Sequence, residues 1–402
     1  MNNDKLTIGL FIDVFYPMTD GVTMVVDNYA KRLSKFCNVI VFAPRYIGHD
    51  YDDSKFNYKV VRCISLKVPF LDYSLPIPQM DIKFQKELKE YNLDLVHIHS
   101  PFTIGEAGIK YAIDNNIPVV GTMHSQYKKD FLRAVRNEHI ANTLLKSLIH
   151  NYNKCDEWWA VNSEVARIFY EEYGYKELPK VMNNATEMLP ITEEEKDKYF
   201  KLINDKYNIK DEKVFLFVGR INALKNIFFI VEALKKVKEK DPNLKYKMLF
   251  VGSGQDEEEL KKKIEEYNLQ DNIILCGKIM DRKLLASYYA RSDLFLFPSL
   301  YDASSIVQIE AASQHTPVLF IEGAATTATV TNNVNGFIAP NDVDKYADYI
   351  IYLMRDDKLL NEISKNCYRD LYKNWDNLID EVYSRYLYLI KKKINYKILE
   401  KK

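Results

Sequence analysis

The chain is short of the features that usually place a protein at a glance. It has no excess of either charge, with Lys+Arg and Asp+Glu both at 56 in 402 residues, so no global field points to nucleic acid or a polyanion. Its five cysteines (Cys37, Cys63, Cys155, Cys276, Cys367) are scattered and form no C-x-x-C pair. That argues against a disulfide framework and for reduced core thiols in a cytoplasmic protein. No uninterrupted apolar run reaches the ~18 residues needed to span a bilayer. The opening "MNNDKLTIGLFIDVF" has no basic region followed by a small-residue cleavage site, so no signal peptide is expected. The expected location is the cytoplasm, at most peripheral at the inner face of the cell membrane. The G-x-G-x-x-G, P-loop and G-x-S-x-G patterns are all missing, which argues against a full dinucleotide site, an NTP cradle and a hydrolase elbow.

What the chain does have is alternation. Apolar runs ("LTIGLFI", "NVIVFA", "YKVVRCI", "DLVHIH", "PVVGTMH", "EWWAV") are separated by amphipathic stretches such as "TMVVDNYAKRLSKF" and "DIKFQKELKEYN". Strands alternating with helices predict a parallel sheet covered on both faces. A charged, strandless stretch follows Met188, and the alternation restarts with "VFLFVGR", "YKMLFVG", "NIILCG", "DLFLFPS" and "TPVLFI". The length is too great for one ordinary core, and the pattern predicts two doubly wound α/β domains. The expected boundaries are 1–187 and 188–372, with a C-terminal helix at 373–402 that could cross back to the first domain.

Ligands of open parallel sheets bind off the carboxyl ends of the strands, so the residues after each strand carry the functional reading. In "LFLFPSLYDASSIVQIEAAS", Asp302 precedes a helix whose expected N-cap is Ser304 or Ser305, and Glu310 lies one to two turns inside it. Bare amides at a helix start suit phosphate, while the two carboxylates suit sugar hydroxyls. In "FLFVGRINALKN", Arg220 and Lys225 follow one strand and could neutralise a diphosphate. Gly21 in "IDVFYPMTDGVTMVV" allows close approach to the backbone. Gly252 and Gly254 in "FVGSGQDEEEL" are expected to shape a strand-to-helix turn. His124 ends the strand of "VVGTMHSQY". His97 and His99 in "VHIHSPF" have poor zinc spacing, and Asp342 and Asp344 in "NDVDKY" read as helix capping rather than a metal site.

In order along the chain, "FYPMTDGV", "HIHSPF", "GTMHSQY", "VGRINALKN", "FVGSGQDEEEL", "PSLYDASSIVQIEAASQHTPV" and "NNVNGFIAP" resemble the family 4 retaining glycosyltransferases of the GT-B fold. Within that family the chain is most similar to bacterial enzymes that glycosylate cell-envelope lipids and polysaccharides. The resemblance implies two Rossmann-like domains facing across a cleft. It also implies metal-independent transfer of a hexose, glucose from UDP-glucose, to an envelope lipid or glycan. By motif match Arg220 and Lys225 would grip the diphosphate, Asp302 would stand near the donor sugar, and Glu310 would meet the ribose. Amides around Ser304, Ser305 and Ile306 would touch phosphate, and Gly21 would give the diphosphate room. His124 would lie near the reacting sugar, and the backbone of Gly277, Lys278 and Ile279 would meet the base. The family's acid-x-x-Phe-Gly is "DASS" here, with Asp for Glu and serine where glycine gives closest approach.

A local basic stretch at 126–154 bears Lys128, Lys129, Arg133, Arg136, Lys146 and Lys154. With Phe131, Leu132, Leu144, Leu145, Leu148 and Ile149 it could form a face towards anionic lipid, and the tail at 391–402 adds six lysines. Two other readings stay open at this point: a catalytically silent GT-B subunit that stabilises an active partner, and a sugar-nucleotide epimerase. Balanced charge, with no basic stripe carrying interleaved aromatics beyond the tail, argues against nucleic acid.

Overall fold

The computed structural model describes residues 5–18, 20–67 and 74–399, the last three as backbone only. Thr19 of the "FYPMTDGV" stretch and the side chains of the last three tail lysines lie outside this description. The chain divides into two compact units, Met1–Asn184 with Trp375–Lys402, and Ala185–Asn374.

The first unit opens with β1 (Thr7–Phe11), α1 (Gly21–Leu33), β2 (Asn38–Arg45), β3 (Lys59–Lys67) and β4 (Ser74–Pro76). It continues through α2 (Ile82–Glu90), β5 (Leu95–Ile98), α3 (Thr103–Asp114) and β6 (Val119–Met123). After α4 (Tyr127–Val135) and α5 (Glu138–Tyr152) come β7 (Glu157–Ala160), α6 (Ser163–Arg167) and β8 (Lys180–Val181). The sheet order is β4-β3-β2-β1-β5-β6-β7-β8. Every pairing is parallel except β3 with β4. The inner strands have almost wholly buried residues, which is why their sequences read as unbroken apolar runs.

The second unit runs α7 (Glu193–Tyr207), β9 (Lys213–Val218), α8 (Ile227–Lys240), β10 (Tyr246–Val251), α9 (Glu257–Glu266) and β11 (Ile273–Gly277). It goes on through α10 (Arg282–Arg291), β12 (Leu294–Leu296), α11 (Ile306–Ser313) and β13 (Val318–Ile321). It closes with β14 (Phe337–Ala339), α12 (Val343–Met354) and α13 (Asp357–Leu371). All pairings are parallel, in the order β11-β10-β9-β12-β13-β14. This is the doubly wound order in which the chain leaves the first strand on one side and returns on the other. Gly252, at φ 144°, packs against the exit of β9: a Cβ there would sit 1.9 Å from the carbonyl oxygen of Gly219. Gly252 therefore shapes the turn by close backbone approach.

The final helix, α14 (Trp375–Leu399), belongs to the first unit. Trp375 meets Tyr29 edge-on, Tyr383 stacks on Phe36, and Arg385 pairs with Glu157. Among the described tail lysines, Lys393 pairs with Asp156.

The basic 126–154 stretch needs a correction. Leu145, Leu148 and Ile149 are core residues of the first unit, not part of an outward face. They recur at the helical spacing that packs α5 onto its own domain. Only Ile140 and Leu144 are exposed apolar residues on α5, while Phe131 and Leu132 of α4 are half-buried.

Candidate functional site

Each unit has one place where adjacent parallel strands send their connections in opposite directions, and such a crevice is where doubly wound sheets take ligands. In the second unit it lies off the carboxyl ends of β9 and β12. The exit of β9 passes Arg220 and then a single 3₁₀ turn, Ala223–Lys225, ended by Asn226 in the left-handed conformation at φ 59°. The exit of β12 passes Pro298, Ser299 and Asp302. Asn226 Nδ2 donates to the Pro298 carbonyl at 3.1 Å, and the Lys225 ammonium is salt-bridged to Asp302. Two residues that the sequence leaves 77 positions apart thus share one spot. Arg220 is exposed and has no ion-pair partner among the described residues.

The same crevice receives the start of α11. Its N-cap is Ser305, in extended conformation, and no side chain caps the helix. The neighbouring α10, α12 and α13 all have an Asp N-cap whose side chain accepts from first-turn amides. The expected serine cap is therefore present in backbone only, and α11 presents first-turn amides with no acid of its own. Ser304 and Ile306 flank that N-cap, both half-buried.

Glu310 is 4 % exposed, with Oε1 taking Arg282 and Oε2 accepting from Tyr289 Oη at 3.0 Å. Arg282 also lies 3.8 Å from Glu187. Burial, reinforced by Glu310, holds the Tyr289 hydroxyl well above its ordinary range. Each carboxylate oxygen retains a lone pair beyond the bond already made. The sequence reading missed Arg282 and Tyr289. One signal was available: Arg282 places a cation in a helix's first turn, where the dipole favours acids. At the exit of β11, Gly277 has φ 70° with open space around it, Lys278 is exposed and Ile279 half-buried.

In the first unit the switch point lies between β1 and β5, and its own chemistry fills it. Asp13, 5 % exposed, accepts from Ser100 Oγ at 2.7 Å, Thr103 Oγ1 at 3.2 Å and the amide of Ile104 at 2.7 Å. The Gly105 amide adds a longer bond at 3.4 Å. The carboxylate thus occupies the N-terminus of α3, whose N-cap Phe102 supplies none. Burial raises the Asp13 carboxyl above its usual range despite these bonds. Gly21 begins α1, where a Cβ would meet nothing within 4 Å. His124 is half-buried just past β6, with Nε2 3.2 Å from His99 Nδ1, and burial pushes it down to about 3. Asp342 caps α12 through the Lys345 amide and Asp344 pairs with Lys240. Among the described residues no group of His, Cys, Asp or Glu could hold a metal ion.

Two doubly wound sheets, with the cation-bearing crevice in the second, define an α/β protein of the nucleotide-binding kind. The family models give the rest: "Glycosyl transferases group 1" matches residues 200–370 and "Glycosyltransferase Family 4" matches residues 19–187. The chain belongs to the family 4 glycosyltransferases of the GT-B fold and is a hexosyltransferase of that retaining family. It is 27% identical over 326 residues to an alpha-monoglucosyldiacylglycerol synthase of Streptococcus pneumoniae, covering 78% of this chain and 70% of that one. A synthase of the same name from Acholeplasma laidlawii is 23% identical, covering 90% and 91%. Among solved structures, Anabaena HepE in complex with UDP superimposes with a TM-score of 0.74 at 16% identity, over 94% of this chain and 99% of that one. That likeness is one of fold.

Proposed function

We propose that the chain transfers glucose from UDP-glucose, with retention and without a metal, to the hydroxyl of a diacylglycerol-type lipid. The observation that carries the donor half is the switch point of the second unit, where Lys225, Asp302 and the uncapped start of α11 converge. In this reading the acceptor hydroxyl oxygen bonds C1 as the donor's C1–O bond breaks with its electron pair on the β-phosphate oxygen, and the hydroxyl proton passes to the departing diphosphate. Arg220, Lys225 and the amides at Ser304, Ser305 and Ile306 receive the developing charge, the largest catalytic contribution such a site can make. Asp302 holds Lys225 in place and reaches the donor sugar. Glu310, oriented by Arg282 and Tyr289, takes the ribose diol, and the backbone of Gly277, Lys278 and Ile279 meets the uracil. Gly21 leaves room for the diphosphate and His124 contacts the reacting sugar. The names of the relatives favour transfer to a lipid over the silent-subunit and epimerase readings.

A second observation supports a lipid acceptor. On the edge pair β3–β4, Leu66 faces Leu75 in register, and with Ile64 they form an outward ladder about half exposed. Asp81 Oδ2 accepts from the Ile64 amide at 2.8 Å and so keeps its neighbours Met80 (76% exposed) and Ile82 (85% exposed) beside that ladder. Exposed apolar side chains gathered at one sheet edge suit the boundary of a leaflet. Among the described residues no helix is long and apolar enough to cross a membrane.

The test supplies labelled UDP-glucose to the purified chain with diacylglycerol-containing vesicles. The expected result is lipid-extractable glucose in α-linkage, unaffected by EDTA and absent with GDP-glucose. Release of UDP with no lipid-linked sugar would contradict the proposal.

A further inference from the structure

A run of imidazoles leads inward from His124, and the reaction as proposed uses only the outermost. His97 is held on both ring nitrogens, Nδ1 by Tyr386 Oη and Nε2 by Thr122 Oγ1 at 2.7 Å. His99 lies against it at a ring separation of 4.0 Å, with the Tyr29 ring edge-on at 5.3 Å on another side. His99, 1% exposed, spends Nδ1 on His124 and has Nε2 buried with no hydrogen-bond partner. Leaving a buried polar atom unmade costs about 1–3 kcal/mol, so a site that needed only bulk would be better filled by an apolar ring.

We infer that His99 is a positioning residue: by occupying Nε2 of His124 it fixes Nδ1 as the nitrogen His124 turns to the ligand. The packing of His97 and Tyr29 prevents the His99 ring from turning away. A neutral imidazole donates through one nitrogen and accepts through the other, so the proton on the His99–His124 bond also sets the tautomer of His124. Burial holds all three rings in the neutral form, which keeps the relation reciprocal. Second-layer partners of this type orient metal-bound histidines by the same logic; here the oriented ring faces substrate.

The inference rests on the reading of His124 as a substrate contact, and its test separates the two. His99→Asn and His99→Gln are compared in the full chain: the Asn amide falls near the position of Nδ1, the Gln amide near that of Nε2. With histidine-selective ¹⁵N labelling, the wild type and His99→Asn should show His124 as one tautomer, one nitrogen protonated and one bare. His99→Gln should show averaged nitrogens and a kcat about tenfold to hundredfold lower, the scale of a misplaced contact, with less than about a threefold change in donor KM. Thermal unfolding of both variants checks the fold. Equal behaviour of the Asn and Gln variants, or unchanged His124 nitrogens in His99→Gln, would overturn the inference. If His124→Ala retains full activity while the spectra behave as stated, the substrate role of His124 fails and the hold of His99 on the ring stands.

Discussion

The two units are built on one plan and use its switch point in opposite ways. In the first, Asp13 lies in the crevice and its carboxylate takes the amides of α3 that an anion would otherwise use. In the second, α11 starts without a side-chain cap and Lys225 stands beside it, anchored by Asp302. A helix N-terminus is a ready anion site in either sheet. What differs is whether the chain supplies the anion itself, and the proposed placement of the donor phosphate in the second unit rests on that contrast. The same contrast extends to titratable groups. The first unit holds His97, His99 and His124 neutral, whereas the second has His315 alone, displaced downward chiefly by partial burial.

Acid should separate the two units most strongly. A histidine held neutral stabilises the fold fully above its unfolded value near 6.5, and loses that contribution as pH falls towards its folded value. Asp13, raised by burial, has the opposite sign and offsets part of the effect. Three neutral histidines give a slope of about 4 kcal/mol per pH unit below 6.5, and about 2.7 kcal/mol per pH unit remains over the range in which Asp13 opposes them. All three tryptophans (Trp158, Trp159, Trp375) lie in the first unit. Tryptophan fluorescence during acid unfolding should therefore move before the far-UV signal of the second unit; coincident transitions would break the contrast.

Catalysis should fail next. Lys225→Ala is expected to raise the barrier by about 3–4 kcal/mol, a loss on the order of 10²–10³ in kcat, with the melting temperature changed little. A loss under threefold would remove Lys225 from the leaving-group site. Asp13→Ala should instead act on stability, costing about 1–3 kcal/mol for the donors it leaves unmade, with UDP affinity unchanged by calorimetry. Asp13→Asn should cost less, because an amide can still accept from α3. The smallest effect is expected from Arg282→Gln, which frees Glu310 without removing it. Donor KM should rise about tenfold, equivalent to ~1.4 kcal/mol, and kcat should hold.

Much of this was legible because buried parallel strands read as apolar runs, and their exits then mark where chemistry gathers. The inner strands and the long C-terminal helix follow that logic. The edge strands β4, β8 and β14, of three, two and three residues, are too short to leave a pattern. Asp302 and Lys225 could be named from the sequence, but their salt bridge depends on β12 returning beside β9, which only topology supplies. Arg282 and Tyr289 escaped notice because their partner Glu310 lies 28 and 21 positions away. The basic face of 126–154 was over-read, since charge marks the outside of a helix while Leu145, Leu148 and Ile149 pack inward.

The most direct measurement is amide hydrogen exchange of the full chain with and without UDP. Protection should appear at 219–226, 277–280 and 302–310, with residues 103–108 at the start of α3 unchanged because Asp13 already holds the amides of Ile104 and Gly105. Protection at 103–108 with none at 302–310 would contradict the assignment of the donor site to the open switch point.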